Sequence, residues 1–420
     1  MSLTTKLTRN NYSDLVSAYA QRLHAAAGDE HHIVSPLGAW LLLALTAPIA
    51  SGRDREELER VFGTNVETAR RVADDLLADP HPELALAFAA WHRGRVGAEL
   101  EAWREALPPS AMSGPMPTQA EADAWASEHT KGQLQSMPVV IGDDSRLLLA
   151  TAVATEVSWN YPFELVQAKE LAGPWASHVK HVMRRRGGDH VVARTEAAGL
   201  VGVQHESCRT GLEVVSVVAA PDVPPARVIA AAYEVAALVT KLPSKASFVD
   251  TFDLPDKGHA WIVRKRVLAD FNGPERIVKS EVTIPAWTAE TKLENLIETP
   301  GIGFSEIVKA ILQQLPPEPP GSRAQATQAA RARFDTNGFS AAAVTVIHVA
   351  TMAQRLALRP RLAIERTVEV RFDRPFAVVA TTSAVPRGQV RSLWAGLPAF
   401  GAWVTEPMEP SAPKMTREDW

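Results

Sequence analysis

The segment "FDTNGFSAAAVTVIHVATMAQRLALRPRLAIERTVEVRFDRPF", residues 334–376, decides how this chain is interpreted. It begins with strand-like residues, passes through Gly338 and three consecutive alanines, and continues into a β-branched run. A tract containing several arginines follows, with neither helical periodicity nor the composition of a compact turn. The chain therefore has a segment of roughly thirty residues that could form a strand but has no evident place in a sheet.

The composition of the whole chain is that of a globular protein. It has 420 residues, of which 46% are hydrophobic and 22% charged, so a large core can be buried. The formal net charge of −4 gives no reason to expect binding to nucleic acid or to an anionic membrane. Cys208 is the single cysteine, which excludes an internal disulfide and cysteine-rich zinc motifs.

The beginning of the sequence bears on localisation. Residues 1–16, "MSLTTKLTRNNYSDLV", lack the apolar stretch of a signal peptide, and no run of about twenty apolar residues follows elsewhere. We therefore expect a cytoplasmic protein that does not span a membrane. Export to the extracellular space, by a removed leader or another route, is the alternative.

The order of the predicted elements indicates an α+β protein. Helical periodicity dominates the first hundred residues, where Ser35 followed by Pro36 predicts a helix start and Gly63 a helix end. After about residue 145 the sequence is rich in strands, with a helix predicted near residues 289–298, "AETKLENLIE". The βαβ alternation of parallel sheets is absent, so the α+β class is favoured.

The sequence contains few residues that indicate a catalytic or ligand-binding site. The P-loop, nucleophile-elbow and zinc-protease motifs are absent, so we do not predict an enzyme. Asp29–His32, "DEHH", could chelate a metal but is more typical of a solvated turn, and we predict neither metal nor cofactor. Arg184–Arg186 could bind a polyanion or form a solvated loop. Cys208 is predicted to be inert, and four tryptophans are predicted to lie in the core: Trp125, Trp159, Trp287 and Trp394.

Six segments, taken in order from Ser13 to Pro407, resemble the serpin family. They are "VSPLGAWLLLALTAPIASGRDREELERVFG" (through Ser35 and Pro36), "WASEHTKGQLQSM" (Trp125, Thr130, Gly132), "LLLATAVATEVSWNYPFE" (Trp159, Pro162, Phe163), "VTIPAWTAETKLENLIETPGIGFSE", "VEVRFDRPFAVV" (Phe372, Pro375, Phe376) and "GLPAFGAWVTEP". Two departures stand out: Thr151 replaces the usual asparagine of the central strand, and Ala286–Trp287 replaces a lysine–phenylalanine pair.

The resemblance implies a bacterial-type serpin without disulfides, with three mostly antiparallel β-sheets, about nine helices and an exposed reactive-centre loop. It suggests an N-terminal arm (1–12), a single domain (13–407, loop about 338–368) and a disordered tail (408–420). It also implies a monomer that inhibits serine proteases, with cysteine proteases as the alternative target. The protease cleaves the loop, which inserts as a new strand into the main sheet and distorts the attached enzyme.

The resemblance also assigns a hinge at the start of the loop. Its residues are Gly338, Phe339, Ser340, Ala341, Ala342, Ala343 and Thr345. In an inserted strand Phe339, Ala341, Ala343 and Thr345 would share the core-facing side. Serpin inhibitors usually have a small residue in place of Phe339, so its ring must either find a pocket or overpack, which would cost about 1–3 kcal/mol. Thr336 and Asn337 also replace an acidic pair. These departures favour the alternative function, a non-inhibitory serpin-fold binding or structural protein.

The family's usual loop length predicts the cleaved bond. Counting from Gly338 gives Met352–Ala353, with Arg355–Leu356 as the second choice. The strand after the loop is predicted to begin near Val368, which makes the loop about a dozen residues longer than usual. That slack would weaken the mechanical distortion of a bound protease.

Overall fold

The computed structural model describes residues 12–187, 190–208, 211–271, 274–315, 325–339, 361–383 and 393–412. Within these ranges the α-helices are α1 (Tyr12–Ala27), α2 (Pro36–Thr46), α3 (Gly52–Phe62), α4 (Val66–Ala78), α5 (Ala98–Glu105), α6 (Gln119–His129), α7 (Pro225–Val239) and α8 (Phe304–Leu312). The strands are β1 (His32–Val34), β2 (Leu84–His92), β3 (Met112–Pro115), β4 (Leu147–Thr155), β5 (Val157–Ser158), β6 (Glu164–Gln167), β7 (His181–Arg186), β8 (Val192–Thr195), β9 (Gly199–Ser207), β10 (Leu212–Val218), β11 (Ser247–Phe248), β12 (Trp261–Phe271), β13 (Arg276–Ile284), β14 (Trp287–Leu293), β15 (Gln328–Asp335), β16 (Gly338–Phe339), β17 (Arg361–Arg371), β18 (Phe376–Thr382) and β19 (Pro398–Val404).

These strands form four hydrogen-bonded sheets, and the α+β prediction is confirmed. One sheet has the order β1-β19-β18-β10-β9-β8-β11, and a second has the order β12-β17-β13-β7-β6. The other two have the orders β14-β15-β16-β5 and β3-β2-β4, and together they are called the main sheet below. The successive strands β4 and β5 connect its two parts.

Helix α2 lies in the centre of the core, as its sequence predicts. The Ser35 hydroxyl accepts a hydrogen bond from the Gly38 amide at 3.2 Å, and Pro36 occupies the first turn, where it sacrifices no helical bond. Nearly every residue of α2 is buried, so the helix has no solvent face. At the end of α3, Gly63 adopts the left-handed conformation that lets the chain leave the helix. The tryptophans predicted to lie in the core are buried: Trp125, Trp159, Trp287 and Trp394.

Two predictions of local structure are wrong. The first hundred residues also contain a nine-residue strand, β2, which pairs along its full length with β4. The first half of the helix predicted near residues 289–298 belongs to the strand β14, which pairs with β15 over seven residues, and the second half is loop and turn. The helix of this region comes later, as α8. Pairing with a neighbouring strand has outweighed the helix propensity of the Ala, Glu, Lys and Leu residues.

The predicted boundary of the disordered tail is also wrong. The Met408 amide donates to the Ala286 carbonyl at 2.7 Å, and Pro410 is buried. Ser411 and Ala412 contact the main sheet. The chain is therefore packed against the domain as far as residue 412, five residues beyond the predicted end at 407. No helix among the described residues has the length and apolar character needed to cross a bilayer.

Candidate functional site: the hinge hairpin and the gap in the main sheet

The main sheet is open between β4 and β15. Within the described residues β4 pairs only with β2, and β15 pairs with β14 and, at its last two residues, with β16. A cavity of about 570 Å³ separates the two strands. Its walls include the strand residues themselves, with Leu42 of α2, Ile307 of α8 and Phe400 of β19 among the apolar residues that line it. The gap is therefore a slot with two strand edges, close to the hydrophobic core.

One end of this slot is closed by a short hairpin, which we call the hinge hairpin (Asp335–Phe339). Gly338 pairs with Asp335 of β15 on one side and with Ser158 of β5 on the other. Both pairings are antiparallel. A Cβ on Gly338 would lie 2.2 Å from the Val157 carbonyl oxygen, so a side chain does not fit here without moving backbone. The first two hinge residues are thus already part of the sheet in the uncleaved protein.

The turn of the hinge hairpin is held by the segment that follows β5. The Trp159 amide donates to the Asn337 carbonyl at 3.0 Å, and the Phe163 amide donates to the Thr336 carbonyl at 2.9 Å. The Trp159 indole N–H donates to the Asp335 carbonyl at 2.9 Å. All three carbonyls of the turn therefore have a partner. The sequence motif containing Trp159 and Phe163 could be recognised, but its contact with the hinge could not.

Phe339 occupies an aromatic pocket. Its side chain is 1% exposed, and its ring centroid lies 6.3 Å from that of Trp287 and 6.4 Å from that of Phe400. Of the two outcomes open for Phe339, a pocket or overpacking, the structure shows the pocket. Trp287 is one of the departures noted in the sequence, and it forms part of this pocket. Two unusual residues thus complement each other.

The two edges of the slot present matching faces. Along β15 the buried residues Ala330, Ala332 and Phe334 alternate with exposed ones. Along β4 the Thr151 hydroxyl donates to the Gly38 carbonyl of α2 at 3.0 Å, so Thr151 and the residues two positions away face the same helix. A strand inserted between β15 and β4 would turn one of its faces toward the core, on the same side of the sheet as the buried faces of both neighbours.

The side chain of Gln133 occupies a hydrogen-bonding position on the β4 edge. The Arg93 amide donates to the Arg146 carbonyl at 2.9 Å, which fixes the alternation of bonded and non-bonded pairs along β2 and β4. By that alternation the amide and carbonyl of Thr155 point away from β2, into the slot. The Gln133 side-chain amide donates to this Thr155 carbonyl at 2.7 Å.

Comparisons with known proteins identify the architecture. No protein-family model and no curated protein matches the sequence. Among solved structures, the native state of tengpin, a thermophilic serpin, is similar with a TM-score of 0.62 and 13% identity, covering 97% of this chain and 95% of that one. Cleaved serpin 42Da gives 0.61 and 12%, covering 97% and 100%. Thyroxine-binding globulin in complex with thyroxine gives 0.57 and 13%, covering 94% and 99%. The chain has the serpin fold.

The strand that follows residue 360 begins earlier than the sequence predicts. Strand β17 starts at Arg361, seven residues before Val368, and it pairs with β12 and β13. Most of the presumed slack is therefore hydrogen-bonded strand. The remaining loop positions lie outside the described residues: the hinge residues Ser340, Ala341, Ala342, Ala343 and Thr345, and the two candidate bonds Met352–Ala353 and Arg355–Leu356.

The arginines of the run Arg184–Arg186 form ion pairs within the protein. The run lies in β7, and each guanidinium is paired with a carboxylate: Arg184 with Glu164 at 2.7 Å, Arg185 with Glu206 at 2.6 Å, and Arg186 with Glu281 at 3.3 Å. Burial raises the pKa of Glu206, although Arg185 opposes that shift. The run therefore joins β7 to β6 and β13 of the second sheet and to β9 of the first, and the solvated-loop prediction is wrong.

Asp29 and Glu30 lie in an exposed turn, as predicted, but His31 is half-buried and His32 is buried in β1. His32 is 2% exposed and its Nδ1 lies 2.9 Å from the Glu30 carbonyl, so that nitrogen is the donor. His32 Nε2 then accepts from His24 Nδ1 at 2.8 Å, and His24 Nε2 accepts from the Tyr233 hydroxyl. Burial, together with His32, lowers the pKa of His24 to about 3. This chain of neutral groups is a structural network.

Two further expectations concern reactive groups. Cys208 is buried, and burial raises the pKa of its thiol to about 12, so the inert role predicted for it agrees with its surroundings. Among the described residues no group of three or more His, Cys, Asp or Glu side chains is arranged to hold a metal ion.

Proposed function

We propose that the protein inhibits serine-type endopeptidases, acting as a suicide substrate whose cleaved reactive-centre loop enters the slot of the main sheet. The observation that supports this most directly is the hinge hairpin. Its strand β16 is antiparallel to both β15 and β5, and it points into the open gap between β15 and β4. The next residues of the loop can continue that strand without any change of register.

The register of the hinge hairpin specifies which side chains would enter the core. Continuing the pairs Phe334–Phe339 and Val157–Phe339 places Ala341 opposite Ala332 and Thr155. Ala343 would follow opposite Ala330 and Val153, and Thr345 opposite Gln328 and Thr151. These three loop residues are small, and all share the face of the buried Phe339. The set that the sequence alternation selected is therefore the set that the slot would receive.

Insertion provides the force that the proposed mechanism needs. Met352 follows Gly338 by fourteen positions, which corresponds to about 46 Å of extended strand. A protease attached to Met352 through an acyl bond would be carried that distance toward the far end of the sheet. The newly paired strand would gain a ladder of hydrogen bonds on both edges. The protein itself supplies no catalysis, since the protease forms the acyl bond.

Mixing the protein with several proteases tests this proposal. We expect chymotrypsin, elastase or subtilisin to form a denaturant-resistant 1:1 complex through Met352, seen as a mass increase on a denaturing gel. Trypsin is the probe for Arg355, and papain is the probe for cysteine proteases. Cleavage by every enzyme without any complex would contradict the inhibitor function. It would favour the alternative, a non-inhibitory binding protein, the class to which the similarity with thyroxine-binding globulin draws attention.

Gln133 is expected to slow insertion. The amide of Ala341 would bond to the Thr155 carbonyl in the inserted strand, and Gln133 holds that carbonyl at present. Replacing Gln133 by alanine removes one bond, worth about 0.5–1.5 kcal/mol, that insertion must break. We expect protease complexes to form about 2- to 10-fold faster. Stopped-flow or discontinuous assays of the association rate provide the measurement.

The neighbouring Gln135 offers a matched control for that experiment. Its side chain bonds to the Gly132 carbonyl within the same loop and not to the slot. Gln135→Ala should therefore leave the association rate unchanged. An unchanged or slower rate in Gln133→Ala would show that this hydrogen bond does not oppose insertion.

A further inference from the structure

The C-terminal segment Met408–Ala412, called the strap below, connects three separate parts of the molecule. At its start, the Met408 amide bonds to the Ala286 carbonyl between β13 and β14. Next, the Glu409 carboxylate accepts from the Lys180 and His181 amides at 2.7 and 3.3 Å and contacts His181 Nδ1 at 2.7 Å. Pro410 is buried behind these contacts. The strap is thus anchored on one side before it reaches the hinge hairpin.

The far end of the strap binds the side chains of the hinge turn. The Ser411 amide donates to the Asp335 carboxylate at 2.8 Å, and the Thr336 hydroxyl donates to the Ser411 carbonyl at 2.8 Å. The Asn337 side-chain amide reaches the Ala412 carbonyl at 3.4 Å. All three turn residues before Gly338 therefore contact the strap, in addition to the bonds that Trp159 and Phe163 make to their carbonyls.

The Asp335 carboxylate is the centre of these contacts. Its residue is 8% exposed, so an unpartnered charge would be costly there. Burial by itself raises the pKa of this carboxyl, but hydrogen bonds from Ser411, Thr336 and Arg333 outweigh burial and lower it. The charge therefore depends on the strap for part of its stabilisation, and the strap and the turn hold each other in place.

We propose that the strap is a positioning device that keeps the hinge hairpin inserted in the uncleaved protein. Strand β16 has only two residues, and a strand pairing this short is marginal by itself. Fastening its turn from the strap side and from the Trp159 side keeps Phe339 in its pocket. The consequence of the strap for protease trapping rests on the function proposed above. A hinge hairpin that is already paired in the sheet lets the cleaved loop enter the slot sooner.

Hydrogen exchange of the intact, uncleaved protein tests the strap. In Glu409→Ala the anchor is lost far from the hinge, and in Ser411→Pro the amide that binds Asp335 is lost directly. We expect amide exchange in the peptide covering Phe334–Phe339, followed by mass spectrometry, to be about 5-fold faster or more in both variants. Glu406→Ala is the matched control, because Glu406 is exposed and precedes the strap. It should exchange like the parent protein.

The outcomes separate the strap from the proposed function. Unchanged hinge exchange in either folded variant would overturn the strap. If exchange accelerates in both variants while the parent protein forms no complex with any protease, the strap stands and the inhibitor function fails. If the parent does form complexes, Glu409→Ala should release more cleaved, uncomplexed protein per complex formed than Glu406→Ala does.

Discussion

Replacing Ala341 by glutamate is expected to abolish the covalent protease complex while leaving cleavage of the loop intact. In the inserted strand residue 341 would face the core between Ala332 and Thr155, each of which is 2% exposed. A carboxylate placed there without a partner costs several kcal/mol, which is enough to stall insertion. We expect at least about 10-fold more cleaved protein per complex on denaturing gels, since 1.4 kcal/mol already gives that factor.

The adjacent residue provides the control with the same charge on the opposite face. Ser340 would lie between Arg333 and Glu156, at the exposed side of the sheet, where the Arg333 side chain is 45% exposed. A glutamate at this position stays hydrated, so Ser340→Glu should trap protease as the parent does. Equal loss of complex in both variants would show that charge in the loop, and not its burial, is responsible. Normal trapping by Ala341→Glu would refute the register.

The parts of the fold that depend on local chemistry could be predicted from the sequence. The Ser35 cap, the end of α3 at Gly63 and the strands around Trp159 follow from residue types at fixed spacing. The alternation that places Phe339 on the buried face is also local, and the structure confirms it for that residue. The order of the motifs then predicted the serpin fold. The candidate bond Met352–Ala353 remains a prediction, because it lies outside the described residues.

What could not be predicted depends on contacts between distant segments. The sequence of β14 has the composition of a helix, and its pairing with β15 makes it a strand. Strand β17 extends to Arg361 because β12 and β13 are long enough to pair with it. The pocket for Phe339 requires Phe400, sixty-one positions away in the sequence. The polar composition of the tail around Ser411 predicts disorder. The sequence does not show that the Ser411 amide donates a hydrogen bond to the buried Asp335 carboxylate. None of these pairings leaves a signature in one sequence.

Cleavage of the loop is expected to raise the melting temperature by about 7–14 °C. The uncleaved protein keeps a cavity of about 570 Å³ in its main sheet. Filling buried cavities contributes about 24 cal/mol per Å³, which gives an upper figure of about 14 kcal/mol here. Since the slot is partly open to solvent, we expect roughly half of this. Each kcal/mol raises the melting temperature by about 1–2 °C in a chain of this size, extending the scaling for smaller domains. Differential scanning calorimetry before and after limited proteolysis measures the shift.

Clipped Ala341→Glu distinguishes strand insertion from a general effect of cutting the loop. In this variant the loop is cut at the same bond, but the carboxylate at position 341 disfavours burial in the core. Its melting temperature should therefore stay near that of the uncut protein. A parent protein that melts at the same temperature before and after clipping would mean that the gap between β4 and β15 does not receive the loop. The hinge hairpin would then be a complete structural element that no further strand residues extend, and the slot would need an explanation other than insertion of the loop.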